Sequence, residues 1–92
     1  MNKEDLRKGM TLYYARIMPK VAVYEVDEVS VRTIEDTYFV ATEKQTKRAF
    51  PFAYKDLDEI VFKDRKDALN KVKEAEKHKT KIVSEETYYE EY

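Results

Sequence analysis

The sequence predicts a mainly β (α+β) domain in which five short strands are capped by one C-terminal helix. Residues 11–62 contain short β-branched and aromatic runs separated by polar turns, which is typical of a small sheet. Residues 64–75 then change to helical spacing. Apolar residues there recur at i, i+1, i+4 and i+7, namely Ala68, Leu69, Val72 and Ala75. Because this apolar stripe is narrow, the helix needs a surface to lie on, and we expect it to cover an open end or edge of the small sheet.

Five runs have the composition and length of strands, and proline or polar residues separate them. The predicted strands are Thr11–Met18, Val21–Ile34, Thr37–Thr42, Thr46–Phe52 and Ile60–Phe62. Between the last two, residues 53–58 suit one turn of 3₁₀ helix with Tyr54 and Leu57 turned inward. We expect Leu6, in the polar lead-in, to plug the base of the domain.

The second strand changes phase along its length. Tyr24 and Val26 lie on one side, whereas Val29 and Val31 lie on the other. If only one face of the strand is buried, a bulge or sharp bend near residues 27–28 is needed to restore it.

The helix start is marked by Asp64, whose carboxylate is well placed to accept hydrogen bonds from the first unpaired amides. Asp67, three residues later, adds a weak capping box. We expect the helix to end near Lys79, with a separate tail after it.

Composition excludes several classes. Ninety-two residues make one domain, and the net charge of −1 gives no global attraction for polyanions. No cysteine is present, which excludes disulfides, thiol chemistry and the common zinc frameworks. No apolar run approaches the roughly 18 residues of a membrane span, so we expect a cytoplasmic protein. With one glycine, turns must use Asp, Lys or longer loops.

No residue is predicted to be catalytic, cofactor-binding or metal-ligating. His78 is the only histidine, and no motif places a base beside a nucleophile. Glu25 and Asp27 share one strand face and could act as acid and base, although such a pair is more often the solvated face of a half-buried strand. No glycine-rich loop could cradle phosphates. We therefore expect neither an enzyme nor a cofactor.

A basic hairpin supports an alternative, nucleic-acid binding. This hairpin carries Lys44, Lys47 and Arg48, and Phe50 and other aromatics follow them. Small barrels bind nucleic-acid strands by combining cationic side chains with aromatic stacking. The surrounding acidic residues oppose it, because phosphate affinity depends on uncompensated cations.

The last residues are acidic and rich in tyrosine. We divide the chain into a barrel-plus-helix domain, residues 1–79, and a tail, residues 80–92. The tail is either a frayed terminus or a contact element, since tyrosine supplies large contact area with few rotamers. The candidate contact residues are Glu85, Glu86, Tyr88, Tyr89 and Tyr92.

Five strands with a one-turn helix before the last resemble the SH3-like barrel. The segments GMTLYY, AFPFAYKDLDEIVF and VFKDRKDALNKV also resemble a loose group of short bacterial and phage proteins of unassigned function. The matching residues are Gly9, Tyr13, Phe52, Leu57, Val61, Phe62, Asp64 and Ala68. This resemblance covers roughly residues 6–75. It implies a small barrel with a C-terminal helix in a phage, mobile-element or Firmicutes-like setting, and no activity.

The leading hypothesis is a non-enzymatic module that binds another protein or itself. The tail and the basic hairpin would be its contact surfaces. Nucleic-acid binding through the hairpin is the alternative, and no membrane association is expected.

Overall fold

A computed structural model describes the backbone of residues 1–86 and the side chains of residues 1–77. Five antiparallel strands form one sheet in the order β4-β3-β2-β1-β5, and a helix follows. The elements are β1 (Thr11–Met18), β2 (Val23–Ile34), β3 (Tyr38–Glu43), β4 (Ala49–Ala53), β5 (Val61–Phe62) and α1 (Arg65–Glu86). The predicted mainly β class with a C-terminal helix is confirmed.

The sheet is a meander whose last strand returns to the first. β5 pairs with β1, with Tyr13 opposite Phe62 and Tyr14 opposite Val61. A 3₁₀ turn at Tyr54–Asp56 precedes β5, as predicted. β4 and β5 are the two edges of the sheet, and in the described part of the chain no pairing joins them. The sheet is therefore open, and these pairings do not close it into a barrel.

The inner face of the sheet encloses the larger core. Its buried members are Leu6, Leu12, Val29, Val31, Phe39, Ala41, Phe52, Leu57 and Val61. Leu6 and Leu57 fill it from outside the sheet, as the sequence predicts for both. The ring of Tyr54 packs against the same core, and its hydroxyl donates to the carbonyl oxygens of Glu35 and Tyr38.

The outer face of the same sheet is covered by α1 over part of its area. Ala15, Phe62, Ala68 and Val72 form a second buried cluster, with Tyr13, Ile17, Tyr24 and Val26 packed against it. The helix makes its main contacts with β1, β2 and β5. The predicted cover for an open end or edge of the sheet is therefore a helix packed on part of one sheet face, over the edge strand β5 and its neighbours β1 and β2.

The predicted bulge at residues 27–28 is wrong. The β1–β2 register runs unbroken from Thr11 opposite Ser30 to Met18 opposite Val23. The irregularity lies instead between Val31 and Thr33, where β2 pairs with β3. The change of phase has another cause, because both faces of β2 are covered: its first half packs under the helix and its second half faces the inner core.

The helix begins where Asp64 predicts and ends later than expected. Asp64 directly precedes α1, and its carbonyl oxygen accepts a hydrogen bond from the Ala68 N–H (3.4 Å). Ala68 and Val72 are buried, but Leu69 is 36% exposed, so its predicted place in the buried stripe is wrong. Leu69 lies about 100° around the helix from Ala68, beyond the narrow contact with the sheet. The backbone stays helical past Lys79 to Glu86.

Turns without glycine place other residues in left-handed backbone, and two of the three are a Lys and an Asp, the residue types that the sequence predicts for turns. Ala22, Lys47 and Asp58 have φ values of 56°, 64° and 65°. Ala22 ends the short 3₁₀ turn between β1 and β2, and its N–H donates to the Pro19 carbonyl oxygen (3.1 Å). Because that turn occupies Pro19–Val21, β2 starts at Val23 rather than at Val21.

Replacing Ala22 by glycine is expected to stabilise the protein. The left-handed conformation costs a non-glycine residue about 1–2 kcal/mol, and glycine's extra chain entropy offsets about 0.5–1 kcal/mol of the gain. We expect Ala22→Gly to raise the free energy of unfolding by about 0.5–1 kcal/mol in urea titrations. Ala49→Gly, at an exposed position in β4, is the control and should lower it. A destabilised Ala22→Gly variant would contradict the assigned backbone conformation.

Candidate functional site

The outer face of the sheet continues past the helix onto β3 and β4. The strand register places residues of three strands on this face, because Ser30 pairs with Thr42, Thr33 with Val40, and Val40 with Pro51. Side chains at these positions point away from the inner core, which is built from the alternate residues. We call this surface the open face, and it consists of Ser30, Thr33, Tyr38, Val40, Thr42, Ala49, Pro51 and Ala53.

The open face has no charged residue at any of its eight positions, in a chain of which 40% is charged. Tyr38 is 45% exposed, and Ala49 and Pro51 are also exposed. Arg32 lies beside the face, at the bulge of β2, and is exposed. A solvated sheet face normally carries charged as well as polar residues, whereas this face has four hydroxyl side chains and no charge.

The free edge of β4 is poorly suited to pairing with another strand. Pro51 lies at its centre and has no N–H to donate. The Ala53 N–H is already used, because it donates to Asp56 Oδ2 (3.0 Å). Such features are how natural sheets prevent edge-to-edge association. Contacts are therefore expected on the open face itself and not along its edge.

The two ends of the open face have opposite charge. Exposed Glu35 and Asp36 lie between β2 and β3, at one end. Lys3 partly offsets them, with Nζ 4.0 Å from Asp36 Oδ1. Exposed Lys47 and Arg48 lie in the turn between β3 and β4, at the other end.

Glu43 organises the turn at the basic end. Its Oε1 accepts hydrogen bonds from the N–H groups of Gln45 (3.1 Å) and Thr46 (2.6 Å) and from the Thr46 hydroxyl (2.7 Å). The bonds from Thr46 hold the pKa of Glu43 below its ordinary value. This use of Thr46 in the turn explains why β4 begins at Ala49 and not at Thr46 as predicted.

The three basic residues of the nucleic-acid alternative are not equivalent. Lys44 Nζ donates to Glu28 Oε2 and to Thr11 Oγ1, both at 2.8 Å, so its charge is compensated. The Arg48 guanidinium lies 5.3 Å from the centre of the Phe50 ring. Lys47 is exposed, and its backbone has the left-handed conformation.

The aromatics expected to assist these cations belong mainly to the core. Phe52 is buried and contacts the rings of Phe39 and Tyr14. Phe50 is half-buried against Tyr14, and Tyr54 stacks on Phe39. These rings fill the inner core and offer little free surface on which a base could stack.

Two shallow grooves flank the basic turn, and charged groups of both signs line them. One, of about 310 Å³, lies between this turn and the start of α1, and Tyr13, Val26 and Arg65 are among the residues that line it. The other, of about 190 Å³, is lined by Arg16, Phe50 and neighbouring polar residues. Neither forms a continuous positive channel.

Glu25 and Asp27, the possible acid and base, both bind Arg16. Arg16 Nε donates to Asp27 Oδ2 (2.6 Å), and Nη2 donates to Glu25 Oε1 (2.7 Å). The hydrogen bond with Asp27 raises the pKa of Arg16. The side chains of Arg16 and Asp27 are only 18% and 15% exposed. This arrangement fixes the two carboxylates as partners of a cation at the end of the inner core.

Metal-binding clusters and membrane-spanning helices are both absent from the part of the chain that the structure describes. No group of three or more His, Asp or Glu side chains there could hold a metal ion. No helix there is both long and apolar enough to span a bilayer.

The predicted contact residues of the tail have no described side chains. Glu85 and Glu86 occupy the last two positions of α1, and their side chains are not described. Tyr88, Tyr89 and Tyr92 lie outside the described residues. Their role stays a prediction.

Comparisons with family models, curated proteins and solved structures returned no match for this chain. The uncharged positions of β2, β3 and β4 make the open face, with its acidic and basic ends, the candidate functional surface. The sequence interpretation missed it, although a signal was present: the alternate positions of β3 and β4 carry no charge. Those positions become one surface only when the strand register is known.

The ion pair of Arg16 and Asp27 gives a stability prediction. Arg16→Met leaves the largely buried Asp27 without its cation, and Asp27→Leu removes the less exposed of the two carboxylates that hold Arg16, so each should cost about 1–3 kcal/mol of unfolding free energy. The double variant should cost less than the sum of the two, as denaturant titrations of all four proteins can show. Glu25→Gln, at an exposed partner, is the control and should cost at most about 0.5 kcal/mol. Strict additivity would mean that the pair is not coupled.

Proposed function

We propose that this chain is a non-enzymatic protein-interaction module of the cytoplasm, and that the open face is its contact surface. The observation that carries the proposal is the uncharged outer surface of β3 and β4, which the helix leaves uncovered. Cores of protein interfaces are depleted in charge and enriched in tyrosine, and their rims are polar. Tyr38 on the face and the charges at its two ends fit this pattern.

The energetics favour burial of this surface by a protein. Removing apolar area from water contributes about 25 cal/mol per Å², and the open face has no charge whose desolvation would oppose it. The groups that often indicate catalysis have structural partners here, since Glu25 and Asp27 hold Arg16. These features support binding rather than chemistry.

We also infer that the five-stranded meander, with its 3₁₀ turn before β5, is an SH3-like arrangement. Strand order and the return of β5 to β1 support this inference. The resemblance to short phage and Firmicutes-type proteins suggests a mobile-element setting, in which a small adaptor is a reasonable role.

Nucleic-acid binding is the second candidate. Lys47 is exposed, and Arg48 lies over Phe50, so the basic turn could contact a backbone phosphate. Two uncompensated cations predict weak binding with a salt dependence that corresponds to about two phosphate contacts.

The interaction proposal predicts that charge on the open face abolishes partner binding. Full-length protein with Tyr38→Lys and Ala49→Lys, both at exposed positions, should lose the host proteins that the unaltered chain retains in quantitative affinity capture. The physical reason is that each added ammonium must be desolvated in the interface.

The matched control places the same charges on another exposed apolar surface. Met18→Lys with Val21→Lys alters the tip between β1 and β2, where these side chains are 44% and 66% exposed. This variant should retain the same partners. Equal loss in both variants, or retention in the open-face variant, would overturn the proposed surface. Capture that disappears after nuclease treatment would favour the nucleic-acid candidate.

A further inference from the structure

We propose that the open face packs against the open face of a second copy of this chain, with the strands of the two copies antiparallel. The proposal rests on the interaction role of the open face and names its occupant. The same surface is buried on both copies, which is the isologous arrangement of a two-fold dimer. The two-fold axis lies in the interface, perpendicular to β3, and passes near Val40 at the centre of the face.

The position of α1 leaves room for a second sheet over the open face. The cluster beneath the helix includes Tyr24 and Val26, from the first half of β2, whereas the open face begins at Ser30, in the second half. Two sheets packed face to face lie about 10 Å apart, with their strands aligned within about 30°. Because the helix and the open face lie over different halves of β2, antiparallel alignment carries each helix away from the sheet of the other copy.

The large and small residues of the open face are separated along the strands. At one end, the side chain of Tyr38 is 45% exposed on β3. At the other end, Thr42 lies between Ser30 and Ala49, and these small side chains leave a lower surface. Antiparallel alignment places Tyr38 of each copy over Thr42 and Ala49 of the other. The face is therefore complementary in shape to itself, and tyrosine supplies the contact area with few rotamers to freeze.

Charge follows the same order along the strands. The acidic pair, Glu35 and Asp36, precedes Tyr38, and the basic pair, Lys47 and Arg48, lies in the turn before β4. Antiparallel alignment brings the acidic pair of each copy to the basic pair of the other, so both ends of the interface are favourable. Parallel alignment would bring like charges together at both ends. The charges thus select the antiparallel arrangement.

Each pair keeps part of its charge within its own chain. Lys3 Nζ lies 4.0 Å from Asp36 Oδ1 and offsets that carboxylate, and the charge of Glu43 acts on Lys47. For Glu35 and Arg48, no salt bridge to any described residue is found. Opposite charge therefore remains at the two ends, and salt should weaken the attraction between copies.

The size of the contact predicts a weak dimer. β3 has six residues, and three strands of that length at about 4.8 Å spacing give a footprint of about 300 Å² per copy. The total of about 600 Å² is below the roughly 1,200 Å² of stable interfaces. We therefore expect a dissociation constant of about 100 μM at low salt.

Sedimentation equilibrium of the full chain at low salt is the direct test. The mass of one chain is 11.0 kDa, and we expect the average mass to rise toward twice that value as concentration increases. A monomer at all concentrations up to about 1 mM would overturn the proposal.

A mixing experiment tests the antiparallel alignment. Lys47→Glu with Arg48→Glu makes both ends acidic, and Glu35→Lys with Asp36→Lys makes both ends basic. Each variant alone should associate at least tenfold more weakly than the unaltered chain, because like charges then meet at both ends. An equimolar mixture of the two should associate within about threefold of the unaltered chain, because opposite charges meet again. Circular dichroism and urea titration should show that both variants are folded.

Two results of this experiment would contradict the alignment. One is a variant that associates alone as well as the unaltered chain does. The other is a mixture of two folded variants that stays monomeric.

A single cysteine tests the position of the axis without altering any charge. The chain has no cysteine, so Val40→Cys introduces one thiol, which meets its own counterpart across the axis. Under mild oxidation this variant should form disulfide-linked dimers several-fold faster than Lys20→Cys, whose thiol is exposed at the tip between β1 and β2. Equal rates would place the contact elsewhere and overturn the proposal.

The control for the acidic variant makes the same change of net charge away from the open face. Lys8→Glu with Lys20→Glu, both at exposed positions, should leave dimerisation within about twofold after allowance for net charge. A loss of dimerisation equal to that of the acidic variant would mean that net charge, and not the open face, controls association.

The outcomes separate this proposal from the proposed function. If the chain stays monomeric but the open face still captures host proteins, the second-copy proposal fails and the proposed function stands. If the dimer forms and Tyr38→Lys with Ala49→Lys captures host proteins unchanged, the dimer stands and a host partner at this face is excluded.

Discussion

The architecture depends on burying β1 and β2 on both faces. Alternate residues of β1 serve two cores: Leu12 enters the inner one, and Ala15 meets the helix. The helix–sheet core has four buried residues, and two of them, Ala15 and Ala68, are alanines. Small side chains let a helix approach a sheet closely but bury little apolar area. Among the described side chains of α1, Ala68 and Val72 are the ones buried in this core.

The helix leaves the half of the outer sheet face over β3 and β4 uncovered. A helix nearer the centre of the sheet would cover more of this surface. The position of β5 prevents this, because it pairs with β1 at the edge and starts α1 there. Topology, more than composition, thus decides which surfaces stay available.

Sequence patterns predicted the elements well where local chemistry was decisive. Pro19 ends β1 at the expected residue, and Asp64 precedes the helix as a cap should. The prediction failed where it assumed a single buried face. The change of phase in β2 suggested a bulge, but it records two cores on opposite sides of one continuous strand. The prediction that Leu69 is buried failed for a related reason. The width of the helix surface that becomes buried depends on the sheet that it packs against. The open face could not be predicted, because the sequence alone does not show which residues of β2, β3 and β4 pair with one another.

Pro51 has a further consequence for how copies of this chain can assemble. A sheet with an open edge can grow by adding identical strands without limit, and such growth leads to fibres. Here the middle of the β4 edge lacks a donor, and the Ala53 N–H is held by Asp56. Association through a sheet face ends when that face is filled, whereas association through an edge can propagate. The proline thus favours complexes of finite size and keeps the chain from templating its own polymer.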